Sequence, residues 1–250
     1  MMKFNNAYEN PQFARAYSQL QFPGTYYLAY RDLSAIIHTY VRGKNALDFG
    51  CGAGRSTQFL QKLGFETIGV DISENMLSIA AANESKGRYY LIEDGNFRQF
   101  SPRSFNLILS AFTFDNIPTW TKKRKILTDL AVLLQDHGVF INLVSNPEIY
   151  VNEWASFSTK DFPGNRKAKT GDIVKIINTA IADARPVKDI LWTEKDYHRV
   201  YAQTGLRVIT MHKPLADGTE PYLWKNETRL PPWCIYILKK GKLETVQKED

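Results

Sequence analysis

A glycine-rich segment in the first quarter of the chain constrains its fold more than any other feature. Residues 48–54 read Asp-Phe-Gly-Cys-Gly-Ala-Gly, after the apolar pair at 46–47 and before a helix-like segment at 55–63. Glycines at alternating positions let the backbone turn sharply and approach a ligand, because no Cβ stands in the way. The segment therefore predicts a strand, a ligand-binding turn and a helix whose free N–H groups face the ligand.

The acidic residue in front of the glycines indicates the kind of ligand. A dinucleotide-binding turn has the spacing G-x-G-x-x-G and little negative charge beside its pyrophosphate. Here the spacing is D-x-G-x-G-x-G, with Asp48 at the end of the predicted strand. A carboxylate at this position suits a ligand with a positive charge, such as an amino-acid ammonium, and disfavours an NAD-linked oxidoreductase.

Three further segments follow the glycine turn in order. Residues 67–71 form a strand pattern that ends in Asp71, whose two oxygens could bind both hydroxyls of a ribose. Residues 89–97 contain a third strand pattern and an acidic loop, and residues 105–112 form a fourth strand pattern. Because strand and helix patterns alternate from residue 45 to residue 146, the sequence predicts a parallel sheet.

Local signals also predict where several helices begin and end. Residues 7–42 have a helical pattern, which Pro23-Gly24 breaks into two helices. Ser73 and Thr193 are expected to cap the helices that follow them. A further helix over residues 122–135 is expected to end at the turn 136–138.

Together, the glycine turn and the three strand segments that follow it resemble the class I, or Rossmann-like, S-adenosylmethionine-dependent methyltransferases. The resemblance implies S-adenosylmethionine as the cofactor, held by the glycine turn, the strand-end acid and the acidic loop. In that loop an aspartate commonly accepts from the adenine amino group, and Asp94 competes with Glu93 for this role. The cofactor-binding residues implied are Asp48, Gly50, Cys51, Gly52, Gly54, Asp71, Ile72, Asp94, Gly95 and Ala111.

The resemblance also implies the fold of the whole chain. We expect an α/β domain with a seven-stranded, mostly parallel Rossmann-like sheet, an antiparallel last strand and helices on both faces. An aromatic-rich insertion that includes Trp154 and Trp192 is expected to cover the acceptor site as a lid. Within the single domain 1–250, the expected parts are an N-terminal helical cap (1–42), the cofactor-binding core (43–146), the inserted lid (147–192) and the C-terminal core (193–241).

The expected methyl acceptor is a small molecule rather than a nucleic acid. The fourth strand runs into Ser-Ala-Phe-Thr-Phe-Asp at 110–115, not into the Asn/Asp-Pro-Pro-aromatic motif, and the chain has no Pro-Cys pair. The net charge of +6 is modest for a nucleic-acid groove, although basic clusters at 122–125 and 166–169 could attract an anionic acceptor. The alternatives are an RNA or protein methyltransferase that uses these basic loops, and a cofactor-binding protein that does no chemistry.

Composition indicates the cellular location and the absence of membrane and metal partners that we expect. No apolar run reaches the length of a membrane span, and two cysteines are too few for a disulfide framework, so a cytoplasmic protein with no membrane partner is expected. The four histidines lack metal-ligand spacing, so no metal is expected. In methyl transfer the cofactor brings the reactivity, so the chain needs no catalytic triad. The sequence assigns neither a catalytic residue nor an oligomeric state.

Overall fold

Three short helices precede the first strand in the computed structural model, which describes residues 10–18, 23–84, 86–93, 95–181, 183 and 185–241. They are α1 (Pro11–Ser18), α2 (Thr25–Arg31) and α3 (Leu33–Tyr40). The expected break at Pro23-Gly24 lies in front of α2, and Asp32 separates α2 from α3. The N-terminal helical region is therefore divided once more than the sequence predicts.

A central seven-stranded sheet organises the rest of the chain, with the strand order β3-β2-β1-β4-β5-β10-β9. Its strands run parallel except β10, which is antiparallel to both of its neighbours. The predicted fold is thus confirmed. The strands of this sheet are β1 (Asn45–Phe49), β2 (Glu66–Asp71), β3 (Arg88–Leu91), β4 (Phe105–Ala111), β5 (Leu134–Ser145), β9 (Leu206–His212) and β10 (Trp233–Lys240). Three more strands lie outside it: β6 (Phe157–Ser158), β7 (Ile173–Asn178) and β8 (Val187–Ile190).

The central strands are apolar on both faces because both faces are covered. Ala46 and Leu47 are both fully buried, yet they belong to two separate core clusters on opposite sides of the sheet. This follows from strand geometry, in which successive side chains point to opposite faces. The covering helices of the core are α4 (Arg55–Lys62), α5 (Glu74–Asn83), α6 (Trp120–Leu133) and α7 (Glu194–Ala202).

Two predicted helix starts are confirmed by their caps, and one predicted helix end is wrong. The Ser73 hydroxyl accepts from the Met76 N–H at the start of α5, and Thr193 forms a capping box with Asp196 at the start of α7. Helix α6, however, ends at Leu133, and the expected turn at 136–138 lies inside β5 instead. The pairing of β4 with β5 shifts register there, so the extra residues form an irregularity of the strand.

The insertion after β5 forms a small sheet of its own. Strands β6, β7 and β8 pair antiparallel, in that order. Strand β8 lies against the turn Thr113–Asn116 that follows β4, so the insertion covers the carboxyl ends of the central strands. Ligands of open α/β sheets bind at this edge. Within the described part of the chain, no helix is long and apolar enough to cross a membrane.

Glu227, a fully buried residue between β9 and β10, ties three distant segments together. Its Oε1 accepts from the Thr25 hydroxyl and from the Ala155 N–H, both at 2.7 Å. Thr25 and Ser156 are also joined by two hydrogen bonds, and the Trp233 indole donates to the Thr25 carbonyl at 2.8 Å. Helix α2, the insertion and the start of β10 therefore form one hydrogen-bonded assembly beside the sheet edge.

Candidate active site

The glycine turn bends back over β2, as its sequence predicts. The N–H groups of Gly50 and Cys51 both donate to the Val70 carbonyl, at 2.8 and 3.0 Å. Gly50 has a φ of 73°, and a Cβ added there would overlap the side chain of Thr113. Gly52 has a φ of 52°, which also favours glycine. The turn therefore needs glycine for both its conformation and its close packing.

Asp48 lies behind the turn rather than on the cavity wall. It is fully buried, and its Oδ2 accepts from the hydroxyls of Ser56 and Thr57, both at 2.6 Å. Its Oδ1 has no hydrogen-bond partner among the described residues. Burial raises the pKa of this carboxyl to about 6. Asp48 thus holds the first turn of α4 and does not line the cavity, and its part in cofactor binding stays a prediction.

Asp71 joins the end of β2 to the glycine turn. Its Oδ2 accepts from the Gly52 N–H at 2.8 Å and its Oδ1 accepts from the Ser73 N–H at 2.9 Å. Burial raises the pKa of Asp71 although these backbone donors oppose the rise. Each carboxylate oxygen can accept a second hydrogen bond. The two backbone bonds therefore fix the carboxylate in place and leave it able to accept from a ligand.

A cavity of about 240 Å³ opens beside the turn and runs to the carboxyl ends of β4 and β5. Seven of the ten predicted cofactor residues line it. Gly54 is not among the lining residues; it is the N-cap of α4, with a φ of 83°. Asp94, the candidate adenine partner, lies outside the described residues. The predicted residues on the wall are Gly50, Cys51, Gly52, Asp71, Ile72, Gly95 and Ala111.

The insertion contributes to the cavity wall, but not through the tryptophans that the sequence singles out. Trp154 is fully buried inside the insertion and donates to the Ile149 carbonyl at 2.9 Å. Trp192 is buried and stacks on Trp120 with ring centroids 5.1 Å apart. Neither lines the cavity, so both are packing residues. The residues that the segment 147–192 places on the wall are Ile149, Tyr150, Phe157, Ile176, Val187 and Asp189.

A buried charged cluster at the β4–β5 end of the cavity was missed by the sequence analysis. Asp115 and Asp189 both line the cavity and are both buried. Burial raises the pKa of Asp115 to about 6 and that of Asp189 to about 7. Asp115 lies four residues after β4, at the sheet edge where ligands bind, so its position in the sequence could have marked it as a site residue. Asp189 lies 74 positions further along the chain. Only the folded insertion brings the second carboxyl to the first.

The basic cluster 122–125, expected to be a solvated surface or an attractor for an anion, is divided by the fold. Arg124 and Lys125 are exposed and Lys122 lines the cavity. Lys123 is fully buried, donates to the Phe114 carbonyl and has its Nζ 4.1 Å from the centre of the Trp192 ring. Burial lowers the pKa of Lys123 to about 7. The cluster therefore does not act as a single positive surface.

The residues around the turn fit S-adenosylmethionine. The glycines let the turn line the cavity with its own backbone, and a Cβ at Gly50 would collide with Thr113, which lines the same cavity. Asp71 presents a fixed carboxylate with spare acceptor capacity for hydroxyls. The unpartnered Oδ1 of Asp48 places negative charge behind the turn, where a positively charged ligand is favoured. Among the described residues no group of His, Cys, Asp and Glu could hold a metal ion.

The fold and this site are those of the class I S-adenosylmethionine-dependent methyltransferases. Residues 47–142 match the family model of the methyltransferase domain. The crystal structure of an S-adenosylmethionine-dependent methyltransferase from Clostridium acetobutylicum superimposes with a TM-score of 0.64 at 17% identity. That comparison covers 95% of this chain and 100% of the other, and it shows the shared fold.

Two curated relatives match shorter segments. The 18S rRNA (guanine-N(7))-methyltransferase of Schizosaccharomyces pombe is 40% identical over 65 residues, which is 26% of this chain and 24% of the relative. The ubiquinone biosynthesis O-methyltransferase of Methylococcus capsulatus is 44% identical over 43 residues, 17% of this chain and 18% of the relative. The matches thus span a quarter or less of the relatives' length, and the two names refer to different acceptors.

Proposed function

We propose that the protein transfers a methyl group from S-adenosylmethionine to a small-molecule acceptor. One observation carries this proposal: the glycine turn and Asp71 line the same cavity as residues at the β4–β5 edge. The cofactor, when bound, supplies an electrophilic methyl group on a positively charged sulfur. The chain supplies binding, orientation and exclusion of water.

The cavity walls support a small acceptor. Tyr26 from α2, Phe112 after β4, Phe157 from the insertion and Trp233 from β10 form an aromatic group, with neighbouring ring centroids 4.8 to 5.8 Å apart. All four line the cavity. An aromatic wall built from four separate segments encloses a compact apolar ligand well.

An RNA acceptor is the second candidate, because the Schizosaccharomyces pombe relative is named for an rRNA guanine. That match covers only 65 residues, and the cavity, which the insertion and α2 help to enclose, favours the small molecule. The divided basic cluster adds no continuous positive surface that would follow a phosphate backbone. A cofactor-binding protein without chemistry is the third possibility.

Calorimetry and a methylation screen test the proposal together. We expect S-adenosylmethionine and its demethylated product to bind with about −7 to −8 kcal/mol, in the micromolar range. We also expect incorporation of labelled methyl into small molecules rather than RNA. Binding of NAD but of neither cofactor form would refute the cofactor assignment. Methylated RNA with a steep salt dependence would favour the second candidate, and tight cofactor binding with no methylated product would favour the third.

A further inference from the structure

Of the two carboxyls at the β4–β5 end of the cavity, Asp115 accepts two hydrogen bonds and Asp189 accepts one. Asp115 accepts from the Ser145 N–H at 3.0 Å and from the Tyr197 hydroxyl at 3.4 Å. Asp189 accepts only from the Tyr150 hydroxyl, at 3.0 Å on Oδ2, and its Oδ1 has no donor among the described residues. A carboxylate offers about four acceptor positions. Asp189 therefore has unused acceptor capacity on the cavity wall.

The unused capacity matters because Asp189 is 93% buried, with a relative exposure of 7%. A buried carboxylate without hydrogen bonds is unfavourable, since it has lost its water and gained little in return. A ligand that donates to Oδ1 would restore the missing interaction. The site is thus prepared for a hydrogen-bond donor, and most strongly for a donor that carries positive charge.

The charges around Asp189 do not satisfy it in another way. Lys123 is the buried cation whose field acts on both carboxyls, but its Nζ donates to the Phe114 carbonyl and faces the Trp192 ring. Lys123 does not line the cavity, whereas both carboxyls do. With Asp115 and Asp189 ionised, two buried carboxylates face one buried cation, Lys123, while Lys122 on the wall is half-buried; an anionic ligand beside the carboxylates would add to the negative charge of the buried groups.

The aromatic wall described above favours the same ligand. Rings of Tyr26, Phe112, Phe157 and Trp233 attract a cation through their electron-rich faces and also bury an apolar body. Lys122 and Arg55 are the cationic side chains on the wall. Arg55 begins α4 at the glycine-turn end, where it donates to the Ser18 carbonyl at 2.9 Å. The end formed by β4, β5 and the insertion therefore combines carboxyls with aromatic rings.

We propose that the acceptor is an apolar amine, and that Asp189 binds its nitrogen through Oδ1. This inference rests on the proposed function and names the acceptor class for the same site. It differs from the anionic acceptor that the basic clusters could attract, because Lys122 is the one residue of 122–125 on the cavity wall and no residue of 166–169 lines the cavity. The amine body packs against the aromatic wall, and Asp115 adds a second negative charge beside the nitrogen.

Asp189 also has a place for the proton that the amine must lose. An ammonium has no free electron pair, so an N–H bond has to break before the nitrogen can act as a nucleophile. The proton passes to Asp189 Oδ1, and the electron pair of the broken bond stays on nitrogen. The pKa of Asp189, raised by burial to about 7, suits a group that takes and releases a proton near neutral pH. Asp115, Lys123, Tyr150 and Tyr197 are the titratable groups around it.

Matched probes of one size test the inference on the wild-type protein. We would measure by calorimetry the binding of 2-phenylethylamine, 2-phenylethanol and 3-phenylpropanoate to protein loaded with the demethylated cofactor product. We expect the amine to bind at least about tenfold more tightly than the carboxylate, with the alcohol between them. Equal or tighter binding of the carboxylate, or no binding of the amine, would overturn the inference.

Two variants assign the preference to one side chain. Asp189→Asn keeps the shape and an acceptor for Tyr150 but removes the charge, and it should weaken the amine about 10- to 100-fold while changing the alcohol little. Asp161→Asn, at an exposed acid of the same insertion, should change neither. Unchanged amine binding in folded Asp189→Asn overturns the assignment, and if that variant fails to fold, the wild-type probe order still decides. Failure of the wild-type protein to bind the demethylated cofactor product would instead count against the proposed function.

Discussion

Replacing Asp48 by asparagine measures what the buried charge behind the glycine turn does to stability. Burial raises the pKa of this carboxyl from 3.8 to about 6 in the folded protein. Each pH unit of difference corresponds to about 1.4 kcal/mol, so the ionised carboxylate destabilises the fold by about 3 kcal/mol at pH 8. At pH 5 much of the folded protein carries a proton on Asp48, and the destabilisation falls to about half of that value.

The sign follows from the direction of the pKa. Because the folded pKa is raised, the contribution of Asp48 to stability is fully present below pH 3.8 and is lost as pH rises from there through about 6. Asparagine does not titrate, and its amide oxygen can still accept from Ser56 and Thr57. We therefore expect Asp48→Asn to gain stability relative to wild type as pH rises. The difference between the two free energies of unfolding, variant minus wild type, should be about 1.4 kcal/mol higher at pH 8 than at pH 5.

Urea unfolding of both proteins without cofactor, at pH 5 and pH 8, is the assay. The difference between the two pH values removes any constant loss from altered hydrogen bonds. Asp161→Asn, at an exposed carboxyl, is the control and should show no such difference. A stability change for Asp48→Asn that is the same at both pH values would refute the reasoning. The same variant should bind S-adenosylmethionine more weakly, since it removes negative charge behind a positively charged ligand.

Three further predictions concern the rest of the site. Asp71→Ala should weaken cofactor binding by about 1.5–3 kcal/mol in calorimetry while the circular dichroism spectrum is retained; unchanged affinity would mean that this carboxylate does not hold the cofactor. Gly50→Ala should abolish cofactor binding, since its Cβ has no room, whereas Gly164→Ala, with open space around it, should bind normally. Lys123→Met should raise the pKa of Asp115 in an NMR titration, because the nearby cation is lost; an unchanged pKa would show that the two groups do not interact.

Local sequence signals predicted the sheet and the turn well. The alternation of strands and helices, the glycine spacing and the caps at Ser73 and Thr193 are properties of neighbouring residues, and the fold preserves them. The end of α6 was misplaced because β5 begins with irregular pairing, which polar residues at 136–138 do not reveal. The exact partners of a strand depend on the neighbouring strand rather than on its own composition.

The acceptor end was not predictable in the same way. Lysine is a residue type usually found at the surface, and the packing of Trp192 against Lys123 helps to make it a buried cation. Asp189 lies in a strand of the insertion whose position over β4 is set by tertiary contacts. Trp154 looked like a lid residue for its size, but its indole has a partner inside the insertion. Burial of charged groups reflects long-range contacts, which a single sequence does not encode locally.

The hydrogen bonds around Glu227 have a consequence for how the protein matures. Thr25 and Glu227 are separated by 202 residues, so their bond forms only after residue 227 has left the ribosome. Until then the central strands can pair, but α2 and the insertion have no common anchor beside the sheet edge. A nascent chain that ends before Glu227 therefore contains the glycine turn but not the complete wall of the cavity. The ligand site is completed only once the segment around Glu227 has been made, although most of the residues that line it precede residue 120.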